Sequence, residues 1–254
     1  MYTDKVPLKI LTILTFFLLL YACAPKKAIQ PERPLPIPEK ITPEVLIERV
    51  DFSYIKTLRA ALRVKIQQGG KAKGTFSGVL FYSHPDRLDA RFFGPLRLTI
   101  MEILFNRGLL QVFIPSRDLL YSGTIALNRL LPDHDTLEKS VKVMKESDNA
   151  WLLYILEQNG TERRVQAVYR FNKTDLSWNG LELYADGKRQ VRMEIFKTED
   201  RLPAEMDIYI NNTSFHLQLK DITLNRDLGD DYFLPLDASE RYPLSLFLRN
   251  LELD

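Results

Sequence analysis

Three histidines and one cysteine are the obviously reactive side chains of this 254-residue chain. A zinc site needs three or four His, Cys or carboxylate ligands at close spacing. His84, His134 and His216 form no pair, and neither an HExxH nor a CxxC spacing occurs. His84 precedes Pro85 in a turn-forming stretch, and His216 alternates with Phe215 and Leu217 on the polar side of an expected strand. Both read as solvated residues. Ser122, in Tyr121-Ser122-Gly123, lacks the GxSxG elbow that presents a nucleophilic serine. Asp133 with Asp135, and Asp230 with Asp231, stand in turn-like sequence and read as loop charges. No glycine-rich phosphate loop is present. The expectation is a protein without catalytic residues, metal or cofactor.

The remaining reactive group is Cys23, and its setting gives it a chemistry. Lys5 and Lys9 precede an apolar run over residues 10–20, and Leu20-Tyr21-Ala22 leads directly into the cysteine. A charged start, a short apolar run and a small residue make a secretory leader, 1–22, too short to span a bilayer of about 20 residues. The cysteine after Ala22 resembles the lipobox of bacterial lipoproteins, which implies a diacylated thiol as the mature N-terminus. Ala24 follows, where Asp is the familiar inner-membrane retention signal of such proteins, so the outer membrane is favoured.

Something must hold a domain off that anchor. Pro25, Pro31, Pro34, Pro36 and Pro38 lie among Lys, Glu and Gln, a composition that favours extended polyproline II. Residues 23–41 therefore read as a tether with a reach of up to about 60 Å. The domain, 42–254, opens with a helix capped by Thr42, with Pro43 first inside, Glu44 in the first turn and Leu46, Val50 and Tyr54 on one face. From Leu58 the period changes to two, and alternation returns at 75–82, 87–93, 97–105, 109–114, 150–157, 163–171, 181–184, 190–197, 204–210 and 213–222. Short helices are expected at 124–131 and 136–145, the latter with Leu137, Val141 and Met144 on one face. Turns such as Asn159-Gly160, Asp186-Gly187 and Asn211-Asn212 suit tight hairpins. This is a mainly β domain, one long curved antiparallel sheet curling into a closed or part-open barrel. The formal charge of +2 and the lack of a basic stripe argue against nucleic acid as a partner.

Residues 57–123 resemble the first half of the outer-membrane lipoprotein receptor LolB. The features are the 58–66 and 74–82 strands, the Asp86-Arg87 turn, Gly94-Pro95-Leu96, a strand ending before Asn106, and Leu120-Tyr121-Ser122-Gly123. Leu202-Pro203-Ala204-Glu205-Met206 and the Tyr232-Phe233 to Pro235 ending are similar to the wider LolA/LolB-like family. That resemblance implies an incomplete barrel, one mouth closed by helices, around an apolar cavity for acyl chains. It further implies a LolA-like periplasmic carrier as partner and a membrane-inserting leucine on a loop, matched here by Leu96 beside Pro95.

The residues alone favour a filled core, and the resemblance tips the reading to a cavity. Long parts of 79–82, 103–105, 109–114 and 151–156 are apolar on both faces. Such residues usually make a filled core; equally, a barrel of about 11 strands encloses more volume than its side chains easily fill. Phe92, Ile100, Phe113, Trp151 and Met193 are the expected lining, with the inward parity left open. Two functions follow: an acyl-chain receptor that passes lipoproteins or lipids to the membrane, or a packed scaffolding lipoprotein that binds a protein partner.

Overall fold

The structure is a computed structural model that describes residues 37–124, 140–159, 162–185 and 187–247. The leader and Cys23 lie outside these residues, as do His134 and the expected 124–131 helix beyond Thr124.

The opening helix, α1 (Pro43–Val50), begins as its sequence dictates. Thr42 is extended, its hydroxyl accepts from the Val45 amide at 3.5 Å, and Pro43 follows. Leu46, Ile47 and Val50 are buried. Tyr54 lies beyond the helix, and its hydroxyl instead donates to the Asp200 carbonyl at 2.7 Å.

The strands are β1 (Thr57–Gln68), β2 (Lys71–Ser83), β3 (Arg87–Phe93), β4 (Thr99–Asn106), β5 (Leu109–Ile114), β6 (Leu119–Thr124) and β7 (Val141–Glu146). They continue with β8 (Ala150–Asn159), β9 (Glu162–Asn172), β10 (Trp178–Ala185), β11 (Lys188–Glu199), β12 (Leu202–Ile210), β13 (Thr213–Leu224) and β14 (Glu240–Pro243). All 14 form one sheet, in the order β14-β6-β5-β4-β3-β2-β1-β13-β12-β11-β10-β9-β8-β7. Neighbours are antiparallel apart from the β14–β6 pair, which is parallel. The sheet is open: β14 and β7 stand at its two edges.

Two expectations change. Residues 141–146 are strand, not helix, because Val141–Glu146 pair in register with β8 from Leu156 to Trp151. The sheet also gains β6 and β14, neither among the expected strands; β14 is too short, polar and proline-ended to carry an alternating pattern.

Register separates two faces. Leu219, Leu62, Gly78, Phe92 and Met101 lie abreast across β13, β1, β2, β3 and β4 on the inner face. Phe81, Asp89, Leu104 and Gln111 lie abreast on the outer face. Gly78 sits where a Cβ would stand 2.2 Å from the Arg91 carbonyl oxygen, so only glycine lets β2 and β3 approach there.

The outer face of β2–β5 is covered by residues 228–236. Phe233 is buried with Phe81 and Leu104, and Tyr232 stacks on Phe81 with ring centroids 4.2 Å apart. Asn106 donates to the Phe233 carbonyl, Gln111 bonds the Leu236 backbone in both directions, and Arg87 pairs with Asp230 at 2.7 Å. This strap explains why 79–82, 103–105 and 109–114 are apolar on both faces: one face meets the inner wall, the other the strap. Their second apolar face is not surplus for a cavity.

Candidate functional site

The inner face carries a continuous apolar wall. One cluster holds α1 against β8–β12 through Leu46, Ile47, Val50, Leu153, Tyr169, Leu181, Ile195 and Met206. A second joins Leu62, Val64, Ala90 and Phe92, and a third joins Val112, Tyr121 and Leu244. Leu217 packs against the first two, while Met101 and Ile103 pack against the last two.

The two ends of this wall differ. At one end Ile55, Leu58, Ala60 and Leu202 form a closed cluster beneath Phe52 and Tyr54. Arg201 donates to the Glu48 carbonyl of α1 at the same end. At the other end lie the β1–β2, β3–β4, β5–β6, β10–β11 and β12–β13 turns. Inward side chains become more exposed towards it. Along β12, Leu202, Ala204 and Met206 are buried at 8%, 3% and 8%, Ile208 is half-buried and Ile210 is 41% exposed. Along β1 the same run goes from buried Leu58 to half-buried Ile66. The wall therefore has a closed end and a mouth.

Exposure also reaches the middle of the sheet. Phe215, Leu217 and Leu219 face inward on β13, a central strand, and are only half-buried. In a filled core of this width they would be among the most buried residues.

Of the expected lining residues, Phe92, Trp151 and Met193 belong to the inner wall: Phe92 is buried towards the mouth, Met193 is half-buried, and Trp151 lies towards the closed end. Phe113 does not join them. It is paired with Glu102 and shares the outer face with Gln111, two residues away. The strap made both faces of β5 apolar, so its parity could not be read from the sequence. Ile100 packs beside Phe92 and also borders a groove of about 950 Å³ between the middle of β2, the end of β3 and the 94–98 loop. Phe76, Val79 and Phe93 line that groove with Pro95 and Arg97.

The loop itself projects from the mouth. Leu96 is 91% exposed and Leu98 65% exposed. Leu96 and Arg97 both have φ of 60°, a left-handed backbone that disfavours leucine. Pro95 and the Gly94–Leu98 backbone bond at 2.9 Å hold the loop in that form, with Leu96 directed away from the wall.

The titratable clusters stand on the outer face. His216 lies between Asp207 (2.7 Å) and Glu205 (3.5 Å), in a polar ladder continued by Tyr209 and Glu194. Asp89, fully buried under the strap, has Arg91 at 2.7 Å but off the line of a hydrogen bond, so neither carboxylate oxygen has a hydrogen-bond partner. Burial, with Glu102 nearby, pushes its carboxyl up to about 6. Neither cluster was marked in the sequence, where a buried aspartate on an alternating strand looks like any solvated one.

No protein-family model matches the sequence, and no curated protein matches it. Solved structures do match in fold. A DUF1329 family protein from Desulfovibrio piger is similar with a TM-score of 0.58 at 15% identity, covering 76% of this chain and 95% of that one. A LolA superfamily protein from Nitrosomonas europaea is similar with a TM-score of 0.54 at 13% identity, covering 77% and 99%. A putative outer membrane lipoprotein-sorting protein domain from Vibrio parahaemolyticus follows with a TM-score of 0.52 at 12% identity, covering 75% and 95%. The architecture is that of the LolA-like structures: mainly β, one large curved antiparallel sheet that does not close.

Proposed function

We propose that this chain is a lipid-anchored acyl-chain receptor of the bacterial outer membrane, facing the periplasm. Cys23 carries the anchor, and residues 23–41 tether the domain. The inner wall takes up acyl chains of lipoproteins or lipids, delivered by a LolA-like carrier, and Leu96 enters the membrane when they are released. The observation that carries this reading is the incompletely buried apolar inner face of β13 in the centre of the sheet. Burial of an acyl chain there contributes about 0.8 kcal/mol per CH₂, enough for a carrier without any catalytic group. The similarity to a lipoprotein-sorting domain supports it at the level of fold.

A fluorescent fatty acid titrated into the purified protein tests the reading. Saturable uptake, with bound lipid visible by native mass spectrometry, is expected. Leu96→Glu is expected to keep uptake and folding but to slow transfer to liposomes at least tenfold. A parent protein that takes up no fatty acid and carries no lipid would instead be the packed scaffold. Undiminished transfer by Leu96→Glu would remove the leucine from the release step.

A further inference from the structure

We propose that the mouth end of the sheet is a docking surface for an anionic lipid bilayer. The proposal rests on the carrier reading and adds the kind of membrane that the mouth meets. The described charges segregate by end. Around the mouth, Lys71 begins β2, Arg97 lies in the 94–98 loop, Arg117 in the β5–β6 turn, Arg163 at the start of β9 and Lys188 at the start of β11, all exposed. Most of the described carboxylates there are engaged locally, while Glu157, opposite Arg164, is an exposed acid among the bases. Glu162 pairs with Arg164 at 2.9 Å, Asp118 accepts from Ser239, Asp237 pairs with Arg241, and Glu240 accepts from Tyr242. At the closed end Lys56, Arg107 and Arg226 are outweighed by exposed acids, among them Asp148, Asp175, Asp227 and Asp231.

The basic rim surrounds exposed Leu96 and Leu98. A basic ring around an apolar tip is the composition of an interfacial anchor: the leucines enter the acyl boundary while the cations meet anionic headgroups. Each basic residue held near such a surface strengthens adsorption about fivefold, and the effect is lost beyond a Debye length or in high salt. The acidic closed end is repelled by the same surface, so the field turns the mouth towards the bilayer before any leucine inserts.

The whole chain supplies the test. Its one cysteine is Cys23, so Cys23→Ser with Leu98→Cys gives a single labelling point on the rim for an environment-sensitive fluorophore. The emission is read with vesicles of phosphatidylcholine alone and with 30% phosphatidylglycerol added. A blue shift on the anionic vesicles, at least tenfold tighter than on neutral ones and lost at 0.5 M salt, is expected. Adding Lys71→Glu, Arg117→Glu and Lys188→Glu is expected to abolish that preference while fatty-acid uptake stays unchanged. An equal shift on both vesicles, or a preference untouched by the three reversals, overturns the proposal, as does a shift produced by soluble polyglutamate but not by vesicles. Uptake without lipid preference refutes the rim alone; lipid preference without uptake refutes the carrier and leaves the rim standing.

Discussion

Asp89 shows how much a single position can hide. On alternation alone it is one of three polar residues of β3, with Arg87 and Arg91, yet the strap buries it completely beside Arg91. Its carboxyl is pushed up to about 6 from the usual 3.8, so the folded protein holds a proton that the unfolded chain releases. The native state therefore loses stability as pH rises through the window from about 4 to about 6, by on the order of 3 kcal/mol from this group. Asp89→Asn removes that loss. Variant and parent are expected to melt at similar temperatures at pH 4, with the variant gaining several degrees by pH 7; a constant offset across pH would show that Asp89 does not titrate in this way. Phe113 makes the same point about parity. Phe92 and Phe113 are both aromatic residues on apolar strands, and only the partners in register, Met101 for one and Glu102 for the other, put them on opposite faces.

Among the elements, the start and buried face of α1 were legible because their signals are local, a threonine cap, a proline, and leucine and valine four apart, while its end before Tyr54 was not. The long strands were legible for the same reason, since burial on one face imposes a period of two. β7 was not. Val141-Lys142-Val143-Met144 fits a helical face as well as a strand, and pairing with β8 decides it. The strap's ending was marked by resemblance, but its place on the outer face was invisible, because residues 228–236 have no regular period and gain their structure from the strands beneath. It nonetheless anchors one half of the molecule. Phe233→Ala, which empties the space against Phe81 and Leu104 and removes the ring under Arg87 at 4.9 Å, is expected to destabilise by about 3–4 kcal/mol in denaturant titration. Acyl-chain uptake, which belongs to the other face, is expected to survive in the fraction that remains folded. Lost uptake without lost stability would place the ligand on the outer face.

At the scale of the whole molecule, the sequence announced a curved antiparallel sheet but not its two-sidedness. It could not, because the number of covered faces is a property of the assembled layers rather than of any strand. The inner wall is where that matters. Met193 is half-buried on it beside Leu181, its partner in register. Met193→Asp places a charge where an acyl chain would lie but where water already reaches. Uptake is expected to fall at least tenfold with a change in stability of about 1 kcal/mol; if the chain unfolds instead, the wall is a closed core, since an unpaired charge is prohibitive there. The openness of the sheet has a mechanical consequence as well. A closed barrel has a girth fixed by its strand number and shear, and it widens only by breaking a ladder of hydrogen bonds. Here, among the described residues, β14 and β7 are each bonded on one side only. The two lips can part or draw together by a change of twist summed over 14 strands, with every backbone hydrogen bond kept. With no ladder of strand hydrogen bonds to break among the described residues, the bore is elastic, and one wall can grip occupants of different thickness without any part of it unfolding.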